Sequence, residues 1–359
     1  VEVVVLDAAA LNESCHCIRN VVPAGLPAAL FAAEPVFIDA EQAEEVERAV
    51  AALHRWMLDR APERGPAGPV SPGAFMAYDF HLTEAGPRLI EINTNAGGGV
   101  LHALAIGAPV DPLLDMFAEE WRSLRGDRPL QRIAIVDEAP ESQGLYPEFL
   151  LVKERLEARG FEVVITDVRE LDPATVDLVY NRSTDFTLEH APALRKAWEE
   201  DRVVLTPSPW HHAVHADKRN LVGVPLPWVP ETRVATPELW EDRKRWYFKP
   251  ATGHGSKGVL RGAKLTRGRW LELMEDGNVL AQREVPPPRR QVLVDGEGEG
   301  APANVQEMRF DLRAYTYDGV IRLLAARVYR GQTTNLSTPG GGLARVIVTG
   351  GAAGEACRF

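Results

Sequence analysis

Asp79, Glu91 and Asn93 are the residues whose types and spacing point most directly to chemistry. They sit in the run Tyr78-Asp79-Phe80-His81-Leu82-Thr83-Glu84-Ala85-Gly86-Pro87-Arg88-Leu89-Ile90-Glu91-Ile92-Asn93-Thr94-Asn95. Two apolar and aromatic arms flank the turn-forming Glu84-Ala85-Gly86-Pro87, so the run reads as strand, turn, strand. Residues two apart on a strand share a face, which puts Glu91 and Asn93 together. If the arms pair, Asp79 comes to lie near Glu91. Two carboxylates and an amide oxygen then share one patch, followed by Gly97-Gly98-Gly99. Such hard donors, too few to cage an ion alone, suit Mg²⁺ completed by nucleotide phosphates and water. An edge hairpin with solvated acids fits the same residues.

A second group lies far downstream. Trp246-Tyr247-Phe248-Lys249 is an aromatic strand ending in a lysine, and it runs into Pro250-Ala251-Thr252-Gly253-His254-Gly255-Ser256-Lys257-Gly258. Glycines let backbone N–H groups face phosphates, and lysine adds a point charge. The P-loop pattern G-x-x-x-x-G-K-[ST] is absent, and a flexible β-turn would also use these glycines. Met308 to Tyr317 and Val320 to Tyr329 flank Asp318-Gly319, a strong hairpin signal. Alternation puts Arg309, Asp311 and Arg313 on one face, either solvated or lining an ionic site. Two further groups invite a metal reading. His211, His212 and His215 have no acid or cysteine at ligand spacing, so a polar loop or helix face is expected. Cys15-His16-Cys17 has no second ligand pair, so ordinary thiols in a loop are expected.

The elements that must position these groups follow from periodicity. Residues 1–40 are Pro/Ala-rich and follow no pattern that places them. Between Asp39 and Asp59, Val46, Val50, Leu53 and Met57 recur at helical spacing, predicting an amphipathic helix with a core stripe. Ala61 to Pro72 reads as a loop, and Val100 to Gly107 and Pro112 to Leu124 as helices. Gly126-Asp127-Arg128-Pro129 marks a domain boundary. From Arg132 the rhythm changes: strands at Ile133–Val136, Phe161–Ile165, Asp177–Tyr180 and Val203–Leu205 alternate with helical stretches, predicting a small parallel α/β domain of Rossmann-like course. No G-x-G-x-x-G follows its first strand, which argues against a dinucleotide. Open parallel sheets bind ligands beyond their strand carboxyl ends. Asn181 and Arg182 stand there, Arg182 as a candidate for a substrate carboxylate; a surface arginine in a loop is the other reading. Val279 to Val285 is a further strand, and Gly296 to Gly300 an acidic glycine-rich loop.

Composition narrows the class. The chain has 359 residues, long enough for two or three domains, and 45% hydrophobic with 25% charged residues is ordinary for a globular protein. A net charge of −11 argues against general nucleic-acid binding. No apolar run reaches the roughly 18–20 residues of a membrane span. The opening Val-Glu-Val-Val-Val-Leu-Asp has no basic n-region, so no secretory signal is expected. Three cysteines without framework spacing fit a reducing cytoplasm.

Taken in order, these pieces resemble a circularly permuted ATP-grasp enzyme. Ordinary ATP-grasp ligases run from an α/β substrate domain through two ATP lysines, a glycine-rich phosphate loop and a hinge strand to a D…E-x-N metal motif near the end. Here residues 132–205, Lys218 and Lys249, Gly253–Gly258 and Gln282–Val285 keep that order. Arg309 to Gly342, with Asn335-Leu336-Ser337-Thr338-Pro339-Gly340, resembles the arginine hairpin and N-L-x-x-G-G loop of the glutamate-ligase branch. The metal motif stands instead at the front, as Asp79…Glu91-Ile92-Asn93. Eukaryotic-type glutathione synthetases and glutathionylspermidine synthetases share this displacement, and their E-I-N-T motif is similar to Glu91-Ile92-Asn93-Thr94. The likeness spans about residues 74–350 and leaves residues 1–70 unexplained; their distinctive substrate loops have no match here.

The resemblance implies an α/β (α+β) ATP-grasp fold with a Rossmann-like substrate domain. The divisions would be 1–128, an N-terminal helical segment with the permuted metal-binding part; 129–212, the substrate domain; 213–276, the small lid subdomain; and 277–359, the rest of the large subdomain. It implies an ATP- and Mg²⁺-dependent ligase joining a small-molecule acid to an amine (amino acid, peptide or polyamine) through an acylphosphate. No nucleic-acid or membrane partner is expected, and a homodimer is admitted. Lys218 and Lys249 would bind the α- and β-phosphates, and Gly253, Gly255, Ser256, Lys257 and Gly258 would close over them. Gln282, Glu284 and Val285 would hold the adenine edge, and Asn335 would join the nucleotide site. Asp79, Glu91 and Asn93 would hold the metal. Arg309, Arg313 and Arg327 would offset charge in the reaction, and Asn181 and Arg182 would hold substrate. Phosphoryl transfer without amide formation and a non-catalytic ATP-binding regulatory module are the alternatives.

Overall fold

The computed structural model describes residues 31–32, 35–61, 65–251, 258–294, 304–331 and 340–349. Strand β1 (Val36–Asp39) leads directly into the helix Ala40–Leu58. Asp39 starts that helix by a capping box: its Oδ1 accepts from Gln42 N at 2.7 Å, and Gln42 Oε1 accepts from Asp39 N at 3.0 Å. Val46, Val50, Leu53 and Met57 are all fully buried, so the stripe read from spacing is the stripe that packs. Strands β2 (Met76–Thr83) and β3 (Gly86–Asn93) form the expected hairpin. Helices Gly99–Ala105 and Asp111–Arg125 follow.

The α/β segment matches its pattern. Strands β4 (Arg132–Asp137), β5 (Glu162–Asp167), β6 (Leu178–Asn181) and β7 (Val204–Thr206) form an all-parallel sheet in the order β5-β4-β6-β7. Alternation along β4 explains why it is covered on both faces. Ile133 and Ile135 pack with Phe149, Val152 and Leu156 of the helix Tyr146–Glu157. Ala134 and Val136 share a core with Leu194, Ala197 and Trp198 of the helix Pro192–Glu199.

Strands β8 (Thr232–Val234), β9 (Trp246–Pro250), β10 (Leu260–Arg261) and β11 (Val279–Arg283) make a smaller antiparallel sheet, ordered β10-β9-β11-β8. Trp246 and Phe248 enter its core beside Trp270 of the helix Arg267–Asp276. The intervening Tyr247 and Lys249 therefore face the other way.

The largest sheet takes strands from both ends of the described chain. Adding β12 (Arg289–Val294), β13 (Asn304–Tyr317), β14 (Val320–Tyr329) and β15 (Gly342–Thr349), its order is β1-β15-β14-β13-β2-β3, with β12 also on β13. Asp318 (φ 51°) and Gly319 (φ 71°) both take the left-handed conformation of the tight turn between β13 and β14. One face of this sheet, with Tyr78, Phe80, Leu312, Ala314, Leu324 and Ala326, belongs to the core of the Ala40–Leu58 helix. On β2, β13 and β14 the charged residues Asp79, Asp311, Arg313 and Arg327 fall on the opposite face.

The histidine run differs from expectation. A helical turn at Pro209–His211 passes into a π-helical turn at His212–Ala216, and His211 and His215 are buried rather than set on a polar surface. His211 is satisfied in the interior: Nε2 meets the Ser71 carbonyl at 2.9 Å, and Nδ1 meets Ser208 at 2.9 Å. His215 stacks on His54 with ring centres 5.4 Å apart.

Candidate functional site

Register builds the site. Asp79 is the cross-strand partner of both Glu91 on β3 and Arg313 on β13, and Asp311 is opposite Arg327 on β14. Arg313 grips Asp79 by two parallel hydrogen bonds of 2.7 Å, and Arg327 adds one of 2.9 Å. Arg327 also donates to Asp311 at 2.7 Å. Asn93 Nδ2 donates to Asp79 at 3.0 Å and lies 3.4 Å from Glu91 Oε1. Burial alone would push the Asp79 carboxyl up, but Arg313 and Arg327 outweigh it and hold it at about 2. Burial likewise works against the Arg313 charge, and Asp79 prevails, pushing its pKa up. Asp79 is thus an ionised, 1% exposed carboxylate whose two oxygens are taken by arginines and an amide.

Lys249 approaches from the smaller sheet. Its Nζ donates to the Ile90 carbonyl at 3.1 Å and to Gln282 Oε1 at 2.6 Å. Burial lowers it to about 8, with Lys218 pushing the same way against Glu91 and Asp79. Lys249, Gln282, Val285, Asp79, Glu91 and Arg327 are among the residues around a cavity of about 100 Å³. A larger cavity of about 310 Å³ is lined by Glu91, Asn93, Asn95, Asp137, Arg182 and Lys218, among others. Glu91 stands on the wall of both. Arg182 reaches Asn95 Oδ1, and Asn95 Nδ2 returns hydrogen bonds to the Arg182 and Ser183 carbonyls at 2.9 and 3.1 Å. Lys218 stands at the start of a 3₁₀ turn, its backbone N–H 3.2 Å from the Ala251 carbonyl, which puts it beside the end of β9.

Other residues singled out by the sequence stand elsewhere. Arg309 donates to the Gly331 carbonyl instead of joining the Asp79 cluster. Glu284 pairs with Arg261 at 2.8 Å, which engages the carboxylate expected at the adenine edge. Asn181 is buried and shapes its own loop, Oδ1 accepting from Ser183 N at 3.1 Å, while Arg182 alone lines the cavity. Gly258 is described, at φ 76°, whereas Gly253, Gly255, Ser256, Lys257, Asn335, the Gly296–Gly300 loop and Cys15-His16-Cys17 lie outside the described residues. Among the described residues no group of three or more histidines, cysteines, aspartates or glutamates is placed to hold a metal ion; the set here is two carboxylates and an amide.

Several site residues lie outside the sequence motifs. His81 lines the smaller cavity, with Nδ1 2.9 Å from the Val285 carbonyl. Glu148 accepts from Gly98 N at 2.8 Å and Val100 N at 2.9 Å, fixing the glycine run after Asn95. Behind it His102 Nδ1 meets the Tyr315 hydroxyl at 3.0 Å, and burial lowers His102 to about 3, keeping it neutral. Asp137 ends β4 on the larger cavity, a position that strand-end logic could have found.

No family model matches the chain, and no curated protein matches it. Solved structures do. A glutathione synthetase-like effector from Globodera pallida, in its apo form, superposes with a TM-score of 0.56 at 11% identity, covering 94% of this chain and 97% of that one. Looser likenesses include a putative gamma-glutamylcysteine synthetase from Methylobacillus flagellatus (TM-score 0.45, 12% identity, 94% and 92% covered). Another is an ATP-grasp ligase complexed with a variant precursor, Mg and ADP (0.33, 16%, 60% and 90%). At 11% identity the effector's likeness is one of fold, and it extends over nearly the whole of both chains. The chain has the fold of that glutathione synthetase-like effector.

Proposed function

We propose that this chain is an ATP- and Mg²⁺-dependent carboxylate–amine ligase with a circularly permuted ATP-grasp order. The observation that carries the reading is the convergence of Lys249, Glu91 and the Arg313–Asp79–Arg327 cluster on two cavities that share Glu91 as a wall. A phosphate-binding lysine, an oxygen-donor patch and a buried arginine cluster are what phosphoryl chemistry on a carboxylate requires.

The donors suit Mg²⁺. Glu91 faces both cavities, and Asn93, whose Nδ2 is turned toward Asp79, keeps its amide oxygen for a ligand. Asp79 would complete the set expected from the sequence; in this arrangement it anchors the two arginines. When bound, the metal would neutralise phosphate charge, and ATP would supply the phosphoryl group that activates the acid. Lys249 and Lys218 would hold phosphate oxygens, with Lys249 kept in place by Gln282 and the Ile90 carbonyl. The Gln282–Val285 backbone would face the base. Arg327, which lines the smaller cavity, would meet reacting oxygens, and Arg313 would position Asp79. Gly258 and the residues before it would exclude water from an activated acyl group.

The test is ADP and phosphate release with Mg-ATP across a panel of amino acids, short peptides and polyamines, beside Glu91→Gln and Asp79→Ala/Glu91→Ala. Release that requires an acid and an amine, gives a condensed product by mass and disappears in Glu91→Gln is the expected result. Absence of ATP binding would overturn the reading.

A further inference from the structure

The larger cavity holds a charged pair that phosphoryl transfer does not use. Asp137 ends β4, and Arg182 follows the end of β6. The two strands are parallel neighbours, with Val136 opposite Asn181, so both residues stand at the same carboxyl edge of the sheet. Adjacent strands lie about 4.8 Å apart, so the two side chains rise from neighbouring positions on that edge. Both residues line the cavity. Arg182 is 6% exposed, and its buried Nε has no hydrogen-bond partner among the described residues. A buried guanidinium N–H left unsatisfied is costly, and an anionic ligand would relieve it. Asp137 Oδ1 accepts from Glu138 N at 2.8 Å. Beside this pair Leu145 and Phe186 give the wall an apolar part, the Phe186 ring stacked on His212 at 4.2 Å and 7° from parallel, next to the polar Gln143 and Thr184.

We propose that the larger cavity takes an α-amino acid with an apolar side chain as a zwitterion, its ammonium on Asp137 and its carboxylate on Arg182. Asp137 is then the residue that selects the acceptor. Burial raises its carboxyl to about 6, against the Glu138 amide and Arg182, so it is ionised at neutral pH yet basic enough to take a proton.

The acceptor's part in catalysis rests on the ligase reading; its binding does not. In catalysis one ammonium proton passes to the Asp137 carboxylate. The freed nitrogen lone pair forms the C–N bond at the acyl carbon as the C–O bond to phosphate breaks, its electron pair leaving with phosphate. The second N–H proton goes to the departing phosphate, giving amide and inorganic phosphate.

The test is calorimetric titration of the full chain with three probes: racemic leucine, 3-methylbutylamine, which lacks the carboxylate, and 4-methylpentanoate, which lacks the amine. Leucine is expected to bind at least about tenfold more tightly than either analogue. Asp137→Asn should abolish the preference over 4-methylpentanoate, and Arg182→Met the preference over 3-methylbutylamine, each with an unchanged circular dichroism spectrum. Equal binding of the three probes, no leucine binding, or preferences that survive the substitutions would overturn the proposal. Mg-ATP titrated in parallel reports on the ligase reading alone: leucine binding without ATP binding upholds the site, and ATP binding without leucine binding overturns it.

Discussion

Asp79 and Arg313 are register partners on adjoining antiparallel strands, and their side chains meet in a two-pronged ion pair with both distances at 2.7 Å. Each is buried, so removing one leaves the other charged in a low-dielectric interior. Arg313→Met is expected to destabilise the fold by about 3–5 kcal/mol, read by urea unfolding. Arg313→Lys should recover only part of this, because an ammonium cannot make the forked contact.

The same pair makes stability depend on acid. The folded Asp79 carboxyl titrates at about 2, below its unfolded value of about 3.9. Its contribution is therefore present above pH ~4 and lost as pH falls toward 2, amounting to about 2 kcal/mol. A higher window comes from buried neutral histidines. Burial holds His102 at about 3 and His211 at about 4, both below the free value, so their contribution is present above pH ~6.5 and lost as pH falls through 4 for His211 and on to 3 for His102. Unfolding free energies measured from pH 7 to pH 2.5 should decline in two stages, and His102→Asn should flatten the first.

Lys249 is lowered to about 8 by burial and by Lys218, so an amine-directed acylating reagent should modify it selectively between pH 8 and 9. Mg-ATP should protect it, as followed by peptide mass mapping. Because the ammonium is lost as pH rises through 8, nucleotide affinity should weaken over that range. Lys249→Met should lower affinity by at least about tenfold and remove this dependence.

Gly97 is where a side chain would disturb the larger cavity without touching the ionic cluster. A Cβ there would come within 2.3 Å of Leu145 Cδ1 and 2.7 Å of Arg182 Nη2. Both are ends of flexible side chains, so Gly97→Ala should cost only about 1 kcal/mol in thermal unfolding. Arg182 must shift, and leucine affinity should fall while Mg-ATP affinity holds.

Local patterns proved readable wherever one residue's burial follows from its neighbours' spacing. Val46, Val50, Leu53 and Met57 announce a helix stripe, Asp318-Gly319 a hairpin turn, and period two with Gly86-Pro87 sets Asp79 across from Glu91. What escaped depends on pairing between distant segments. Nothing near Asp79 says that its second neighbour is Arg313, 234 residues away, and the metal-ligand reading of Asp79 therefore missed its arginines. Asp137 acquires meaning only once β6 is known to lie beside β4. His211 looks like a polar surface residue until Ser71, 140 residues upstream, supplies a carbonyl to its ring.

The strand order β14-β13-β2-β3 has a consequence for biosynthesis. At about 5–20 residues per second, the ribosome needs roughly 10–50 s to reach Arg313 after releasing Asp79. Throughout that interval β2 has one open edge and an aspartate without its counter-ions. The nascent chain thus carries a sticky hairpin for tens of seconds, which makes it a client for chaperones that bind extended apolar strands.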